Sequence, residues 1–305
     1  MSSSTSLTEP TPGGHALELR DVTVRFGSTL AVDAVTTTIP AGAIVGLLGR
    51  NGAGKSTLLR TLAAHRRPSD GTVRVAGEDP YEHERLMADL CLVRHDGDFN
   101  LDVSVADSIA IAAALRPHWD GATLDRLMER FRLQSNRTKV GALSLGQRAA
   151  LAVSIGIATR SPVTMFDEPH LGLDAPSRYA FYDELLATYI AMPRTIIVST
   201  HLIDEVASLL EHVLIIDRGA LLVHEPADEL RTRGLELTGP SAAVDEITGG
   251  MAVLSSRTLG PTTSAVVFGE DHGDLQDRAA AAGVEVGPIP LQDLFVAMTS
   301  QESVR

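Results

Sequence analysis

The sequence predicts an α/β fold built on a mostly parallel sheet. Short apolar runs, of the kind found in strands buried on both faces, alternate with stretches of helical spacing. The clearest runs cover Ile44–Leu48, 163–166 and 195–199, and polar or glycine residues follow each of them. Strands separated by helices favour a parallel sheet that is covered by helices on both faces.

The remaining elements follow from local patterns in chain order. Alternating apolar and polar residues predict strands over Leu17–Phe26 and 30–39. A Pro-Ser-Asp-Gly turn at 68–71 precedes another strand over 72–75. Helical spacing is predicted over 55–64, most of 80–142, 144–158 and 177–189, with a last strand of this region over 213–217.

Composition changes twice along the 305 residues. Residues 1–16 are rich in Ser, Thr, Pro and Gly, which predicts a disordered tail. Residues 17–230 carry the α/β pattern. After about residue 231, short apolar runs alternate with a helical stretch at 274–282, so we expect a small α+β accessory domain over 231–305.

The bulk composition excludes several classes of protein. The formal net charge is −13 and no Lys/Arg-rich block occurs, so no nucleic-acid partner is expected. Cys91 is the only cysteine, which rules out an intrachain disulfide. The N-terminus lacks the pattern of a signal peptide, and no apolar run approaches 18 residues, so no transmembrane helix is predicted.

A phosphate-binding loop is predicted between the strand at Ile44–Leu48 and the following helix. Residues 49–56 read GRNGAGKS and match the pattern G-x-x-x-x-G-K-[ST] in the required strand–loop–helix context. Glycines let backbone N–H groups surround an anion, and the helix N-terminus adds positive potential. Lys55 is placed to reach the β- and γ-phosphates, and Ser56 to bind Mg²⁺. The candidate nucleotide-binding residues of this segment are Gly49, Asn51, Gly52, Gly54, Lys55, Ser56 and Thr57.

Two carboxylates and a histidine follow two other buried strands. Asp167 is a candidate Mg²⁺ ligand, and Glu168 a candidate for polarising the attacking water. His201 could hydrogen-bond the γ-phosphate or that water. Strand ends are where α/β folds bind ligands. Alternatively, the carboxylates could cap a helix before Pro169, and His201 could be structural.

These motifs together resemble one family. Residues 143–147, LSLGQ, resemble the LSGGQ signature of ATP-binding subunits of ABC transporters, and the resemblance covers residues 17–230. It implies an ABC-type P-loop NTPase fold with an antiparallel β part and a helical subdomain inserted at about 81–150. It also implies that Ser144, Gly146 and Gln147 close over the ATP held by a second subunit.

The resemblance extends to further positions. Phe26 lies where the family stacks an aromatic ring on adenine, although a core role for Phe26 is an equal alternative. Residues 171–174 resemble the D-loop, and His201 the family's switch histidine. Residues 116–120 and 291–299 resemble exporter subunits of the ABC-2 type. This pattern implies an exporter rather than an importer.

Three residues depart from the family's pattern. His95 stands where the family has a glutamine that helps to hold Mg²⁺, and we count it among the nucleotide-binding candidates. Leu145 replaces the first glycine of the signature, and Leu171 replaces a small D-loop residue. Because these changes spare the P-loop lysine and the acidic pair, hydrolysis is still expected. A subunit that pairs with a non-identical partner is a hypothesis that these changes raise.

The resemblance therefore implies an ATPase that uses ATP and Mg²⁺ and drives a membrane transporter. Its expected partners are a separate transmembrane permease and a second ATP-binding subunit, in a homodimer or a heterodimer. The expected location is cytoplasmic, at the inner face of the plasma membrane through the permease. The alternative is a regulatory or soluble ABC ATPase that is not coupled to transport.

Overall fold

The computed structural model describes residues 13–95, 97–135, 137–269 and 273–300. These residues form strands and helices in an order that confirms the predicted α/β class. The strands are β1 (Leu17–Phe26), β2 (Thr29–Ile39), β3 (Ile44–Leu48), β4 (Asp70–Val75), β5 (Leu90–Arg94), β6 (Val163–Asp167), β7 (Thr195–Thr200), β8 (His212–Asp217), β9 (Ala220–Pro226), β10 (Gly234–Pro240), β11 (Val253–Leu259), β12 (Thr262–Phe268) and β13 (Glu285–Pro288). The α-helices are α1 (Lys55–Leu62), α2 (Glu84–Asp89), α3 (Val105–Ala114), α4 (Gly121–Arg130), α5 (Leu145–Ala158), α6 (Ala175–Ala191), α7 (Ile203–Val206), α8 (Ala227–Arg233), α9 (Ser241–Thr248), α10 (Leu275–Ala281) and α11 (Leu291–Thr299).

The largest sheet has the strand order β5-β6-β7-β3-β8-β9. The pairs from β5 to β8 are parallel, and β9 pairs with β8 antiparallel. In this register Asp167 pairs with Ser199, and Leu48 pairs with Thr200. The carboxyl ends of β3, β6 and β7 therefore meet at one edge, which is where the sequence places its candidate site.

The central strands are buried on both faces, which explains their uninterrupted apolar sequences. Along β3, Ile44 and Leu48 join one apolar core, while Val45 and Leu47 join the core on the opposite face. The first core is shared with α5 and α6, and the second with α1 and the antiparallel sheet. A Cβ on Gly46 would lie 2.5 Å from Leu210 Cδ1, so a larger residue there would have to displace the Leu210 side chain.

A separate antiparallel sheet has the order β2-β1-β4 and packs its apolar side on the second core. Helices α3, α4 and α5 lie in the chain between β5 and β6. The sequence predicted mostly helix over 80–142, and this was wrong for Leu90–Arg94, which forms β5. Because β5 begins directly after α2 with no turn between them, its short apolar run fits either element.

The residues after 233 form a four-stranded antiparallel sheet with the order β11-β12-β10-β13. This sheet and helices α9 and α10 share a small apolar core around Leu237, Val244 and Val267. The last helix, α11, instead packs Leu294 and Phe295 into the core that the largest sheet shares with α5 and α6. The C-terminal segment is thus tied back to the principal sheet.

Most of the predicted tail at residues 1–16 lies outside the described residues. Its described end contacts the domain, since the backbone carbonyl of His15 accepts a hydrogen bond from Thr195 Oγ1 at 2.8 Å. Among the described residues, no helix combines the length and the apolar character that crossing a membrane requires.

Candidate active site

The phosphate-binding loop adopts, at two positions, a backbone conformation that strongly favours glycine. Gly52 and Gly54 have φ values of 83° and 107°, in the left-handed region. A Cβ on Gly54 would also lie 2.3 Å from the carbonyl oxygen of Ala31. Gly54 caps α1, so the loop places its backbone N–H groups and the helix N-terminus at one point, as anion binding requires.

Lys55 is buried at the start of α1 and spans the loop. Its Nζ donates to the carbonyl oxygens of Gly49 at 2.7 Å and Arg50 at 3.3 Å. The same Nζ lies 3.0 Å from Glu168 Oε1. These contacts fix the ammonium group between the loop and the end of β6.

An open cleft of about 440 Å³ brings most of the predicted residues together. Arg50, Arg60 and Arg94 line this cleft as well, so its wall carries positive charge that suits a phosphate ligand. The predicted residues that line it are Asn51, Gly52, Gly54, Lys55, Ser56, Thr57, His95, Asp167, Glu168 and His201.

The two carboxylates reach the same cleft because the chain turns between them. Asp167 is the last residue of β6, and Glu168 has a φ of 51°, in the left-handed region. Ser199 anchors this turn: its Oγ donates to Asp167 Oδ1 at 2.7 Å, and the Glu168 N–H donates to that Oγ at 3.0 Å. The sequence reasoning missed Ser199, which is recognisable only from the pairing of β6 with β7.

The Glu168 carboxylate has a different neighbour on each oxygen. Oε1 faces Lys55, while Oε2 lies 2.8 Å from His201 Nδ1 and 3.2 Å from His170 Nε2. Burial acts to raise the pKa of Glu168, but the charge and hydrogen bond of Lys55 and the hydrogen bond of His201 hold that pKa below its ordinary value. Glu168 is therefore an ionised acceptor, the form that polarises a water molecule.

His170 belongs to this cluster and was not predicted. It is buried, its Nδ1 lies 3.3 Å from Thr200 Oγ1, and its ring meets the His201 ring edge-on at 4.7 Å between centroids. Burial is the main cause that lowers the pKa of His170, so its imidazole is neutral near pH 7. The available signal was a histidine two residues after Glu168, across the turn that Pro169 begins.

Five other predicted residues do not line the cleft, and Gly49, the first residue of the phosphate-binding loop, is one of them. Phe26 is 47% exposed at the end of β1, and the Arg66 guanidinium carbon lies 3.9 Å from its ring centroid. Ser144 and Gln147 cap α5 reciprocally: the Gln147 N–H donates to Ser144 Oγ at 3.2 Å, and the Ser144 N–H donates to Gln147 Oε1 at 2.9 Å. Gly146 lies in the same first turn of α5.

Two of the three residues that depart from the motif line the cleft, and the third, Leu145, packs against the loop beside it. Leu145 is 52% exposed at the first position of α5 and packs against Gly172, where a Cβ would be 3.2 Å from Leu145 Cγ. Leu171, the residue before Gly172, lines the cleft, and so does His95. The start of α5 thus contacts the loop that borders the cleft.

Comparisons with known proteins agree on one family. A family model described as "ABC transporter" matches residues 32–171. The chain is similar to a Nod factor export ATP-binding protein I of Burkholderia lata, with 27% identity over 94% of this chain and 97% of that protein. The same-named protein of Ralstonia nicotianae is 30% identical over 71% of this chain and 68% of that protein. An Fe(3+) ions import ATP-binding protein of Escherichia coli K12 is 28% identical over 70% of this chain and 63% of its own length.

The fold also has a counterpart among solved structures. It is similar to the dimeric post-hydrolysis state of an ATP-binding cassette bound to ADP and phosphate, with a TM-score of 0.61 and 19% identity. The similarity covers 69% of this chain and 98% of the solved chain. At this identity the likeness shows the fold.

Proposed function

Because the chain belongs to the family of ABC transporter ATP-binding subunits, we propose that it binds and hydrolyses ATP and thereby powers export through a separate membrane permease. The observation that carries the proposal is the single cleft that holds the P-loop, both carboxylates and His201. Phosphoryl transfer needs positioning and charge stabilisation, and these groups supply both.

The phosphate end of the nucleotide is assigned to the loop and Lys55. The backbone N–H groups of the loop would hold the phosphates, and the Lys55 ammonium would exchange its contact with Glu168 for the γ-phosphate. Gly49, Asn51, Gly52, Gly54 and Thr57 complete this cradle.

The residues present suit a magnesium ion. Ser56 offers a hydroxyl and Asp167 a carboxylate in the same cleft, and Mg²⁺ prefers such oxygen ligands. The Ser199 hydroxyl orients Asp167 through Oδ1. When bound, Mg²⁺ neutralises charge on the phosphates. His95 would support this side of the cleft through a ring nitrogen, in place of the family's glutamine.

Water activation is assigned to Glu168 and His201. The low pKa of Glu168 keeps its carboxylate ionised, so it can accept a hydrogen bond from the attacking water. His201 is bonded to Glu168 through Nδ1, which leaves Nε2 for the γ-phosphate or the water. Both side chains come from adjacent parallel strands, β6 and β7, which fixes their separation.

The second half of the active site is assigned to another subunit. The exposed N-terminus of α5, with Ser144, Gly146 and Gln147, lies outside the cleft of its own chain. A helix N-terminus at the protein surface suits the γ-phosphate of a partner's nucleotide. The dimeric arrangement of the similar solved cassette supports this assignment. Phe26 is assigned to the adenine ring.

Export is proposed from the Burkholderia lata relative, since the same-named Ralstonia nicotianae export protein aligns with only 71% of the chain. The Burkholderia lata export protein aligns with 94% of the chain, which includes much of residues 231–305, whereas the iron-import protein aligns with 70%. We assign 17–230 to the nucleotide-binding domain and 231–305 to an accessory domain, because the latter has a core of its own around Leu237. The permease would hold the chain at the inner face of the plasma membrane.

The test uses Glu168→Gln, which removes the carboxylate that activates water but keeps its shape. Wild type should hydrolyse ATP, and the variant should lose at least about 100-fold in rate, the range of one positioned general base. Light scattering should show that ATP with Mg²⁺ converts the variant from monomer to dimer.

The control is the double variant Lys55→Ala with Glu168→Gln, which should stay monomeric because it cannot hold the phosphates. A Glu168→Gln protein that binds ATP but remains a monomer would contradict a composite site between two copies. A wild-type rate equal to that of Glu168→Gln would contradict the assigned role of the carboxylate.

A further inference from the structure

Three metal-ligating side chains converge beside the P-loop. Glu168, His170 and His201 each direct one ligand atom into a space where all three atoms lie within 4.8 Å of one another. His170 and Glu168 follow β6, and His201 follows β7, so parallel pairing of these strands fixes the cluster. None of the roles assigned above uses His170.

His170 gives an independent sign of a ligand. It is only 4% exposed, and its Nε2 is buried without an aligned hydrogen-bond partner. The atom instead faces Glu168 Oε2 at 3.2 Å. A buried imidazole nitrogen that faces a carboxylate oxygen without an aligned hydrogen bond needs a proton or a metal ion between the two atoms.

We propose that Glu168, His170 and His201 form a site for a borderline transition-metal ion, with Zn²⁺ as the best fit. Two imidazole nitrogens and one carboxylate oxygen are a recurrent zinc ligand set, and a water completes the tetrahedron. Zinc ligands at about 2.0–2.2 Å from the ion lie roughly 3.4 Å apart. The observed separations from Glu168 Oε2, 3.2 Å to His170 and 2.8 Å to His201, are close to this value, all three ligand atoms lie within 4.8 Å, and the partly exposed His201 side chain has room to adjust.

The surroundings orient the ligands. Thr200 Oγ1 lies 3.3 Å from His170 Nδ1, so the outer nitrogen can donate to the hydroxyl while Nε2 keeps its lone pair for the metal. Lys55 engages the other oxygen of Glu168, which leaves Oε2 for the ion. Mg²⁺ and Ca²⁺ are poor candidates because they prefer oxygen ligands to imidazole.

The consequence for activity rests on the proposed function. A zinc ion at this site occupies the carboxylate and the histidine that are assigned to the attacking water and the γ-phosphate. Zinc should therefore inhibit ATP hydrolysis, and His170 makes this subunit sensitive to it. The binding itself does not depend on whether the chain hydrolyses ATP.

A second group in the chain supplies a matched control. His15 Nε2 lies 3.0 Å and His118 Nε2 lies 4.0 Å from the Asp89 carboxylate, so two histidines share one carboxylate there as well. His118 is partly exposed and lies outside the cleft, so His118→Gln removes one histidine next to a carboxylate without touching the proposed site.

The experiment titrates Zn²⁺ into the full chain without a histidine tag or nucleotide, in competition with a chromophoric chelator. Wild type and His118→Gln should each bind one Zn²⁺ ion with the same affinity. His170→Gln and His201→Gln should bind it at least about tenfold more weakly, since even substitutions of residues that only support the ligands lower metal affinity about 10–100-fold. His201→Gln is the second variant because its side chain is half exposed and tolerates change. Co²⁺ should give the visible spectrum of a four-coordinate site in wild type and in His118→Gln, but not in His170→Gln.

Equal Zn²⁺ affinity in wild type and both site variants would overturn the proposal, as would loss of binding in His118→Gln alone. A cobalt–thiolate absorption band would also overturn it, because it would assign the ion to Cys91. If wild type binds Zn²⁺ in the expected way but never hydrolyses ATP, the zinc site stands and the proposed function fails. If the chain hydrolyses ATP but does not bind Zn²⁺, the proposed function stands and the zinc site fails.

Discussion

Lys55 Nζ and Glu168 Oε1 form a buried ion pair at 3.0 Å across the candidate active site. The pair joins the first residue of α1 to the turn that follows β6. Each partner is assigned a different task once nucleotide is bound, since Lys55 serves the phosphates and Glu168 serves the water. In the proposed function, nucleotide binding breaks this contact, because the carboxylate competes with the phosphates for the ammonium group.

This competition predicts that Glu168→Gln binds a non-hydrolysable ATP analogue more tightly than wild type does. A hydrogen bond to a charged group contributes about 1.5–3 kcal/mol, and glutamine retains part of it, so we expect a gain of about tenfold. Titration calorimetry at protein concentrations where the chain is monomeric measures the effect. ADP should show a smaller gain because it lacks the γ-phosphate. Equal or weaker binding of the ATP analogue by Glu168→Gln would show that the pair does not oppose binding.

Phe26 should contribute to ATP affinity through its exposed ring. Phe26→Ala is expected to weaken binding by about 1–3 kcal/mol, the range for stacking of a base on an aromatic side chain. Phe26→Tyr keeps the ring and should bind ATP as wild type does. Fluorescence titration with a labelled ATP analogue compares the three proteins.

The Arg66 side chain, which contacts the Phe26 ring, provides a second test of adenine binding. The Arg66 guanidinium covers one face of Phe26, and such contacts contribute about 0.5–1 kcal/mol at exposed sites. If adenine takes that face, Arg66→Gln should raise the affinity about two- to fivefold. If Phe26→Ala binds ATP like wild type, the ring has no role in adenine binding.

The sequence was most informative where burial and motif coincide. The strand Ile44–Leu48 was predicted with its observed bounds, because a strand covered on both faces is apolar throughout and the P-loop marks its end. The strand Leu90–Arg94 was missed because it abuts α2 without a turn signal. In the C-terminal segment, a short apolar run at residues 252–254 covers only the start of the strand Val253–Leu259, whose later residues are mostly exposed and polar.

For the candidate site, the sequence supplied the groups but not their contacts. Nothing in the spacing shows that Lys55 pairs with Glu168, since that depends on the left-handed φ of Glu168 and its bonds to Ser199. His170 was missed for the same reason. Its position against Glu168 arises from the turn between them, and single-sequence patterns do not report such turns.

Leu145 should weaken the ATP-dependent dimer because its side chain stands where the family has glycine. In the Glu168→Gln background, Leu145→Gly should tighten dimer formation. Overpacking of one side chain costs about 1–3 kcal/mol, which corresponds to about a 5- to 150-fold gain. Leu145→Ala should give an intermediate gain in dimer affinity. The ATP concentration at half-dimerisation compares the three proteins, which carry Leu, Ala or Gly at position 145. A weaker dimer in Leu145→Gly would show that Leu145 makes favourable contacts across the interface, as a subunit adapted to a non-identical partner would require.

Glu184 joins helix α4 to α6 and should carry stability that depends on pH. Its buried carboxylate accepts hydrogen bonds from Arg126 at 3.0 Å and Arg130 at 2.9 Å. Burial acts to raise the pKa of Glu184, but these hydrogen bonds and charges hold it below its ordinary value of 4.5. A carboxyl group with a lowered folded-state pKa contributes stability above about pH 4.5, and this contribution is lost as pH falls through the folded-state pKa.

Glu184→Gln should therefore lower the free energy of unfolding by about 1.5–3 kcal/mol at pH 7, the range for hydrogen bonds to a charged group, and by progressively less as the pH falls below about 4.5. The matched control is Asp183→Asn, which removes an exposed carboxylate that bonds Arg130 at 2.9 Å. Its cost should stay below about 1 kcal/mol at both pH values, because exposed ion pairs contribute little. Urea unfolding of the three proteins at pH 7 and pH 4 compares them. If Glu184→Gln loses the same free energy of unfolding at both pH values, its effect comes from packing. If Glu184→Gln and Asp183→Asn lose the same amount at pH 7, burial of Glu184 does not strengthen the contact between α4 and α6.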